Sequence, residues 1–327
     1  MRGIQLRMLA ALLLASLCSA VPATAQTTHA WPNKPVRIVN TFAPGGAADI
    51  LARLVGDNLT STFGQSFFVE TRAGAGGVIG VQTVAHADPD GYNFVITTMS
   101  LLVIGPISNP KLGYDPIKDL TNVAYIAGSP IVFVVNPNKG IKTMAEFVAY
   151  AKNSPTPLTY SSSGVGSNGQ LVAETFALKT GIKVEHVPYK GAAQGLTDLV
   201  GGHIDFSAQT LSSASALIRS GGLRALAHGG NQRVPDYPDV PTFKEAGYDL
   251  VGTNWFALAG PANLPNDIRD KVNGAIADAM AKPESQERLR QNGLVSDPMT
   301  PEAFAKFIEA ESVRWKPAIE AAGLVEK

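Results

Sequence analysis

Val36-Arg37-Ile38-Val39, followed by Ala43-Pro44-Gly45-Gly46, is a short apolar run that breaks into a glycine-rich loop ahead of a helix-like segment. The pattern returns at Phe67-Phe68-Val69 into Gly74-Ala75-Gly76-Gly77. It returns again at Leu158-Thr159-Tyr160 into Ser161-Ser162-Ser163-Gly164-Val165-Gly166-Ser167. Each reads as a strand–loop–helix junction, which leaves the first N–H groups of a helix without partners and aims them at whatever sits beyond the strand. Glycine allows φ > 0 there and lets a ligand approach the main chain closely.

Outward from these junctions, apolar β-rich runs alternate with helical patterns, the rhythm of βα units and parallel sheets. Strands are expected at 36–41, 67–70, 93–98, 131–135, 158–161, 184–187, 204–208 and 223–227. Ile50, Leu51, Leu54, Val55 and Leu59 give Ala47–Leu59 a helical spacing, and Gln170–Lys179 behaves alike, with Gly181 as its C-cap. After about residue 260 the pattern is helical: Ile268, Val272, Ile276 and Met280 recur every four residues, and Pro283 interrupts them. A last helix has Thr300 as N-cap, Pro301 at its first position, and Phe304, Phe307 and Ile308 on one face. Two βα-rich blocks, roughly 31–127 and 131–250, suggest two similar lobes.

The first 25 residues read as a secretory signal: Arg2 and Arg7, then an apolar stretch from Met8 to Leu17, then Ala23-Thr24-Ala25 as the cleavage site. The apolar stretch is too short to span a bilayer comfortably. The expected location is therefore the periplasm, with cleavage near Ala25. Cys18 is the chain's one cysteine and falls within this segment, so the fold rests on a conventional core and not on disulfides. The chain has 27 basic and 27 acidic residues; removal of Arg2 and Arg7 leaves 25 against 27, a charge of −2. That balance gives no electrostatic footprint for nucleic acid, so an anion would have to be held by local dipoles.

Gly164-Val165-Gly166-Ser167-Asn168-Gly169 spells G-x-G-x-x-G between a strand and a helix, and Glu185 stands near the place of a ribose-binding acid. Export argues against NAD, and serine hydroxyls around the loop suit a carboxylate equally well. Gly74–Gly77 is no P-loop, because no Gly-Lys-Ser/Thr follows. Asp49 suits the start of its helix as a charge on the N-terminus, and Asp205 reads equally as a solvated strand-end carboxylate or as a partner for a ligand hydroxyl or ammonium. His29, His86, His186, His203 and His228 lack metal-ligand spacing, so neither a metal nor a cofactor is expected. There is no G-x-S-x-G elbow. Phe42, Tyr92, Tyr189 and Trp255 are candidates to wall a pocket, although aromatics near strand ends more often belong to a core.

Read together, these segments resemble the Bug family of extracytoplasmic solute receptors, the binding component of tripartite tricarboxylate transporters. The resemblance is carried by Trp31-Pro32-Asn33-Lys34-Pro35-Val36-Arg37-Ile38-Val39, by Phe42-Ala43-Pro44-Gly45-Gly46 with Asp49, and by Gly74-Ala75-Gly76-Gly77. Pro89-Asp90-Gly91-Tyr92, Ser162 to Ser167, Val187-Pro188-Tyr189-Lys190-Gly191, Pro238-Asp239-Val240-Pro241-Thr242 and Glu245-Ala246-Gly247 extend it over nearly the whole mature chain. It implies an α/β, two-lobed type II periplasmic-binding-protein fold, each lobe a mainly parallel sheet flanked by helices, with the C-terminal helices returning to the first lobe. The expected division is a signal peptide over 1–25, lobe 1 over 26–130 plus 252–327, and lobe 2 over 131–251.

The resemblance also implies a receptor, and no enzyme, that closes on a small carboxylate and delivers it to membrane permease subunits, working as a monomer. Its expected ligand-binding residues are Phe42, Gly45, Gly46, Ala47, Gly76, Gly77, Thr98 and Ser100 on one lobe. Ser162, Ser163, Gly164, Ser167, Asn168 and Asp205 face them from the other. Thr71, Ala73 and Gln170 stand where the family usually has Asn, Pro and His. Two other readings stay open at this level: a periplasmic enzyme using the Gly164–Gly169 loop, and a ligand sensor for a signalling partner.

Overall fold

A computed structural model describes residues 31–325. The proposed signal segment, Cys18 and His29 lie outside the described residues. Strand β1 (Val36–Asn40) is almost wholly buried, as a parallel strand covered on both faces should be. It pairs in parallel with β2 (Phe67–Thr71) and β3 (Asn93–Thr98). Between β1 and β2 runs helix α1 (Ala47–Phe63), whose Leu51, Leu54, Val55 and Leu59 are buried at helical spacing. It stops at Gly64, where φ is +69° and the N–H closes on the Thr60 carbonyl. Helix α2 (Val78–Ala85) joins β2 to β3, and a wide turn Ser100–Ile104 leads into the short α3 (Gly105–Ser108).

Strand β4 (Leu120–Val135) is sixteen residues long and serves two sheets. Its first part, Leu120–Pro130, pairs with β9 (Thr253–Pro261), and β9 pairs antiparallel with β3. Its second part, Ile131–Val135, pairs antiparallel with both β7 (Phe206–Thr210) and β8 (Arg224–His228). Strand β5 (Leu158–Ser162) lies parallel to β7 and to β6 (Val184–Pro188). The orders β2-β1-β3-β9-β4 and β6-β5-β7-β4-β8 are thus the same arrangement used twice. In each, three parallel strands are followed by one antiparallel strand that crosses between the halves.

The crossings are Pro130–Ile131 and Gly252–Thr253, paired side by side: Pro130 stands opposite Thr253, and the Ile131 N–H bonds the Gly252 carbonyl. Neither β9 nor the first part of β4 was among the strands expected from sequence. The helices of the second half are α4 (Met144–Asn153), α5 (Asn168–Thr180), α6 (Ala192–Val200) and α7 (Leu211–Arg219).

The C-terminal helices α8 (Asn266–Ala281), α9 (Pro283–Gln291) and α10 (Pro301–Ala321) return to the first sheet. Val272, Ile276, Met280, Phe304, Ile308 and Ile319 share one buried cluster with Ile38, Val95 and Leu258. The second sheet has a separate core on each face. One is built around Phe133, which lies 4.9–6.3 Å from the rings of Phe147, Phe176, Phe206 and Phe243. Such aromatic pairs add about 0.5–1.5 kcal/mol each beyond area burial.

Candidate functional site

Strands β1, β5, β6 and β7 all end on the face where the two halves meet, and each hands the chain to a helix there. The chamber between them is lined by the opening residues of four helices. These are Gly46, Ala47 and Ala48 of α1, Asn168 and Gly169 of α5, Ala192 of α6, and Thr210 and Ser213 of α7. This is the crevice beyond the strands' carboxyl ends where α/β sheets bind ligands. Phe42, Ile131 and Phe256 supply apolar wall, and Ser100, Ser163, Gln209 and Asn254 supply polar groups. No acidic, basic or histidine side chain lines it.

The electrostatics of the chamber therefore come from the backbone. A helix N-terminus carries roughly half a positive charge, so four of them amount to about two. Helices α1 and α6 begin at Gly46 and Gly191, which have no side chain to cap the first N–H groups. Helices α5 and α7 are capped by Ser167 and Thr210, which accept from the N–H groups of Gln170 and Ser213. Three buried chamber side chains each leave one polar atom without a partner, Asn168 Oδ1, Gln209 Nε2 and Asn254 Oδ1, and Thr98 Oγ1 does so behind the chamber. Each such atom costs about 1–3 kcal/mol until a partner reaches it.

Three backbone contacts hold the halves together over the chamber. The Ala47 N–H donates to Ser213 Oγ at 3.1 Å, the Asn168 N–H to Ser100 Oγ at 3.0 Å, and the Ala43 N–H to the Lys190 carbonyl at 3.1 Å. The first two are reciprocal, since each half supplies a serine that satisfies the first turn of a helix in the other.

Of the fourteen expected site residues, Phe42, Gly46, Ala47, Ser100, Ser163 and Asn168 line the chamber. The others lie behind it or away from it. The Gly45 N–H is taken by Asp49 Oδ2, while Asp49 Oδ1 also meets Arg53, so Asp49 organises the loop and the helix start. Thr98 is buried at the end of β3. Ser162 is buried within the lobe and bonded to His186 Nε2 at 2.6 Å, and Ser167 is occupied as the cap of α5.

Gly76 and Gly77 do not reach the chamber. The loop Gly74–Gly77 has positive φ at all four residues, including Ala75 at +47°, and its tip meets the opposite loop. A Cβ on Gly76 would lie 2.6 Å from the Val165 carbonyl oxygen, and one on Gly164 would lie 3.0 Å from the Gly76 Cα. These glycines serve lobe-to-lobe contact. Gly77 packs under Leu101 and Phe42.

Asp205 is the clearest departure. It precedes β7, at the opposite end of that strand from the chamber, and five residue steps carry the chain from it to Thr210, roughly 16 Å. There it pairs with Lys139 at 2.7 Å and accepts from the N–H and hydroxyl of Thr159. Burial raises its carboxyl pKa, but Lys139 and Thr159 outweigh that and hold it below the usual carboxylate range. Its role is to tie the base of the second sheet together. Trp255 is likewise core, its indole N–H directed at the buried Glu311.

Most donors of the G-x-G-x-x-G loop are already used within the protein, and the Ser167 N–H bonds the Gly164 carbonyl. The N–H of Gly164 bonds Ser162 Oγ, that of Gly166 bonds Gln170 Oε1, and that of Asn168 bonds Ser100. Gly169 is glycine for packing: a Cβ there would sit 2.1 Å from the Ala208 carbonyl oxygen. Burial lowers the His186 pKa to about 4, so its ring is neutral, and among the described residues no carboxylate bonds its second nitrogen. The Ser162–His186 contact therefore lacks the third member of a hydrolytic triad.

Gln209, Thr210, Ser213 and Asn254 are chamber residues that the sequence did not flag. The β7–α7 junction, Ser207-Ala208-Gln209-Thr210-Leu211-Ser212-Ser213, contains no glycine, so a search for glycine loops passes over it. Thr210 three residues before Ser213, ahead of a helical pattern, was the available signal.

A family model described as "Tripartite tricarboxylate transporter family receptor" matches residues 51–324. Protein BugT of Bordetella pertussis is 32% identical over 306 residues, covering 93% of each chain. The solved structure described as R. palustris Rpa4515 with adipate superposes with a TM-score of 0.87 at 33% identity, covering 90% of this chain and 98% of that one. MatC (Rpa3494) from Rhodopseudomonas palustris, with bound malate, gives 0.82 at 29% identity, covering 88% and 100%.

Proposed function

The chain belongs to the tripartite tricarboxylate transporter receptor family and is a solute-binding receptor, and on that premise we propose that its ligand is a small carboxylate gripped in the chamber between the two halves. The observation that carries this reading is the convergence of four helix N-termini on a chamber without a charged side chain. A carboxylate is the group such a site suits: backbone N–H groups and the amide of Gln209 donate to it, and no counter-charge is needed. Relatives bound to adipate and to malate support the same class.

Six of the expected residues, Phe42, Gly46, Ala47, Ser100, Ser163 and Asn168, are proposed as ligand contacts, joined by Gln209, Thr210, Ser213 and Asn254. The moving units are proposed as 26–130 plus 252–327 and 131–251, hinged at the paired crossings Pro130–Ile131 and Gly252–Thr253. Ligand contacts to both units favour the closed state, which is then presented to the permease. Export with cleavage near Ala25, and action as a monomer, complete the proposal. Among the described residues no helix is long and apolar enough to cross a membrane.

Thermal-shift screening of the mature chain against mono-, di- and tricarboxylates, amino acids and sugars tests it. A carboxylate present at a hundred times its Kd stabilises the folded state by about 2.7 kcal/mol, roughly a 5 °C rise in Tm for a chain of this size. Stabilisation by sugars or cations alone would refute the reading.

A further inference from the structure

A carboxylate can meet only some of the chamber's unpaired atoms. Gln209 Nε2 is a donor, but Asn168 Oδ1 and Asn254 Oδ1 are acceptors, and all three side chains are more than nine-tenths buried. A carboxylate has no proton to offer either asparagine. Asn168 is the one whose neighbours fix its orientation. Its Nδ2 faces Met99 Sδ at 2.8 Å and the Thr253 carbonyl at 3.5 Å, so turning the amide over would set Oδ1 against two acceptors. Asn168 Oδ1 therefore remains an acceptor at the chamber wall, and a buried acceptor left unmet opposes binding.

Charge decides which donor meets it. Four helix N-termini face the chamber and no aspartate or glutamate lines it, so an ammonium would enter positive potential with no counter-charge. A hydroxyl is neutral, and while it donates to one group its oxygen remains free to accept from another, as Gln209 Nε2 requires. Space decides where that hydroxyl stands. About 40 Å³ of the chamber is reachable by the centre of a water molecule, room for about three water-sized groups. A donor sharing that space with the carboxylate belongs on the adjoining carbon.

Resting on the carboxylate reading above, we propose that the ligand is a 2-hydroxy acid and that Asn168 selects it by accepting from the hydroxyl. Calorimetric titration of the mature chain tests this with acids of three to six carbons, mono- and dicarboxylic, each taken as the 2-hydroxy, unsubstituted, 2-oxo and 2-amino compound. The 2-hydroxy acid is expected to bind about 5- to 150-fold more tightly than its unsubstituted partner, the range for a buried polar group left unmet. The 2-oxo acid, which brings a further acceptor, should bind more weakly than the unsubstituted one, and the 2-amino acid no more tightly. In Asn168→Ala, shown by urea melts to be folded, the ratio of 2-hydroxy to unsubstituted affinity should fall to within about twofold of one, whatever the affinities themselves become.

Equal affinity of the wild-type chain for 2-hydroxy and unsubstituted acids, as a water held against Asn168 would give, would overturn the selection and leave the carboxylate reading intact. Tightest binding by a 2-amino or 2-oxo acid would do the same. A hydroxyl preference that survives in Asn168→Ala would overturn the assignment to Asn168. Failure of every acid to bind would overturn both readings.

Discussion

Replacement of Gly76 by alanine separates the cost of an unfavourable backbone from the cost of closing the lobes. Gly76 has φ of +64°, so any other residue there pays a left-handed penalty of about 1–2 kcal/mol in the folded state, whether the lobes are open or closed. The second penalty belongs to closure alone. The added Cβ would stand 2.6 Å from the Val165 carbonyl oxygen in the opposite half, about 0.8 Å inside ordinary contact, and the obstacle is backbone. Overpacking of this kind costs about 1–3 kcal/mol. Because only the closed state carries it, it appears as weaker binding, by roughly 5- to 150-fold at 1.4 kcal/mol per tenfold.

Gly181→Ala is the matched control. Gly181 ends α5 with φ of +70°, and a Cβ there meets nothing within 4 Å. Urea melts should show both variants destabilised by a similar small amount. Calorimetric titration with the acid giving the largest thermal shift should show Gly76→Ala impaired and Gly181→Ala at the wild-type Kd. Wild-type affinity in Gly76→Ala would mean that the 74–77 and 163–167 loops do not meet in the bound protein, and the closure argument would fall.

Ser213→Ala removes the acceptor of the Ala47 N–H across the cleft; with a net hydrogen bond worth about 0.5–1.5 kcal/mol, Kd should rise by about 2- to 13-fold, and an unchanged Kd would remove Ser213 from the site. Asp205→Asn should lower unfolding free energy by about 1–3 kcal/mol through its Lys139 and Thr159 partners while leaving Kd alone; a loss of affinity would restore Asp205 to the binding site. His186 and His228 are buried with pKa values lowered to about 4, below the unfolded value near 6.5. Between those values the unfolded chain binds more protons, so the stability they contribute is complete above pH 6.5 and is lost as pH falls toward 4, at no more than about 1.4 kcal/mol per ring per unit. Urea midpoints should therefore be lower at pH 5 than at pH 7, with a smaller drop in the His186→Gln, His228→Gln double variant; equal drops would refute the assignment.

The parallel halves of both sheets were legible because buried parallel strands announce themselves as apolar runs, and glycine marks the turns that follow β1, β2 and β5. Strand β9 and the first part of β4 were not, because their burial depends on partners far along the chain: Leu258 is a core residue only because β3 and β4 flank it. The return of α8 and α10 to the first sheet is likewise a tertiary fact, implied by family resemblance and absent from any local pattern. Glycine was a sound guide to where the chain bends; of the glycines expected at the site, Gly46 lines the chamber and Gly45, Gly76, Gly77 and Gly164 do not. Gly76, Gly164 and Gly169 are needed for contacts with other backbone, whereas Gln209, Thr210, Ser213 and Asn254, which no glycine loop marks, join the expected Ser100, Ser163 and Asn168 in the polar lining. The place of Asp205 was not legible for a different reason: a strand-end carboxylate has two ends to choose from, and only the pairing of Asp205 with Thr159 at the start of β5 shows which.

A chamber without charge also has consequences for release. A buried lysine or arginine would hold an anion in the open state as well as the closed one, and would oppose closure of the empty cleft through its desolvation. On the proposed reading the positive potential is divided between the halves, α1 on one side and α5, α6 and α7 on the other, so full grip exists only when they meet. The serines that link them act in the same sense. Ser213 and Ser100 satisfy the Ala47 and Asn168 N–H groups across the cleft, which lets the lobes approach without stranding those donors, yet leaves Thr98, Asn168, Gln209 and Asn254 each with an atom unpaired. On the proposed reading, Thr98 Oγ1 and Gln209 Nε2 are the unpaired atoms able to donate to a carboxylate, and opening parts the N-terminus of α1 from those of the other three helices.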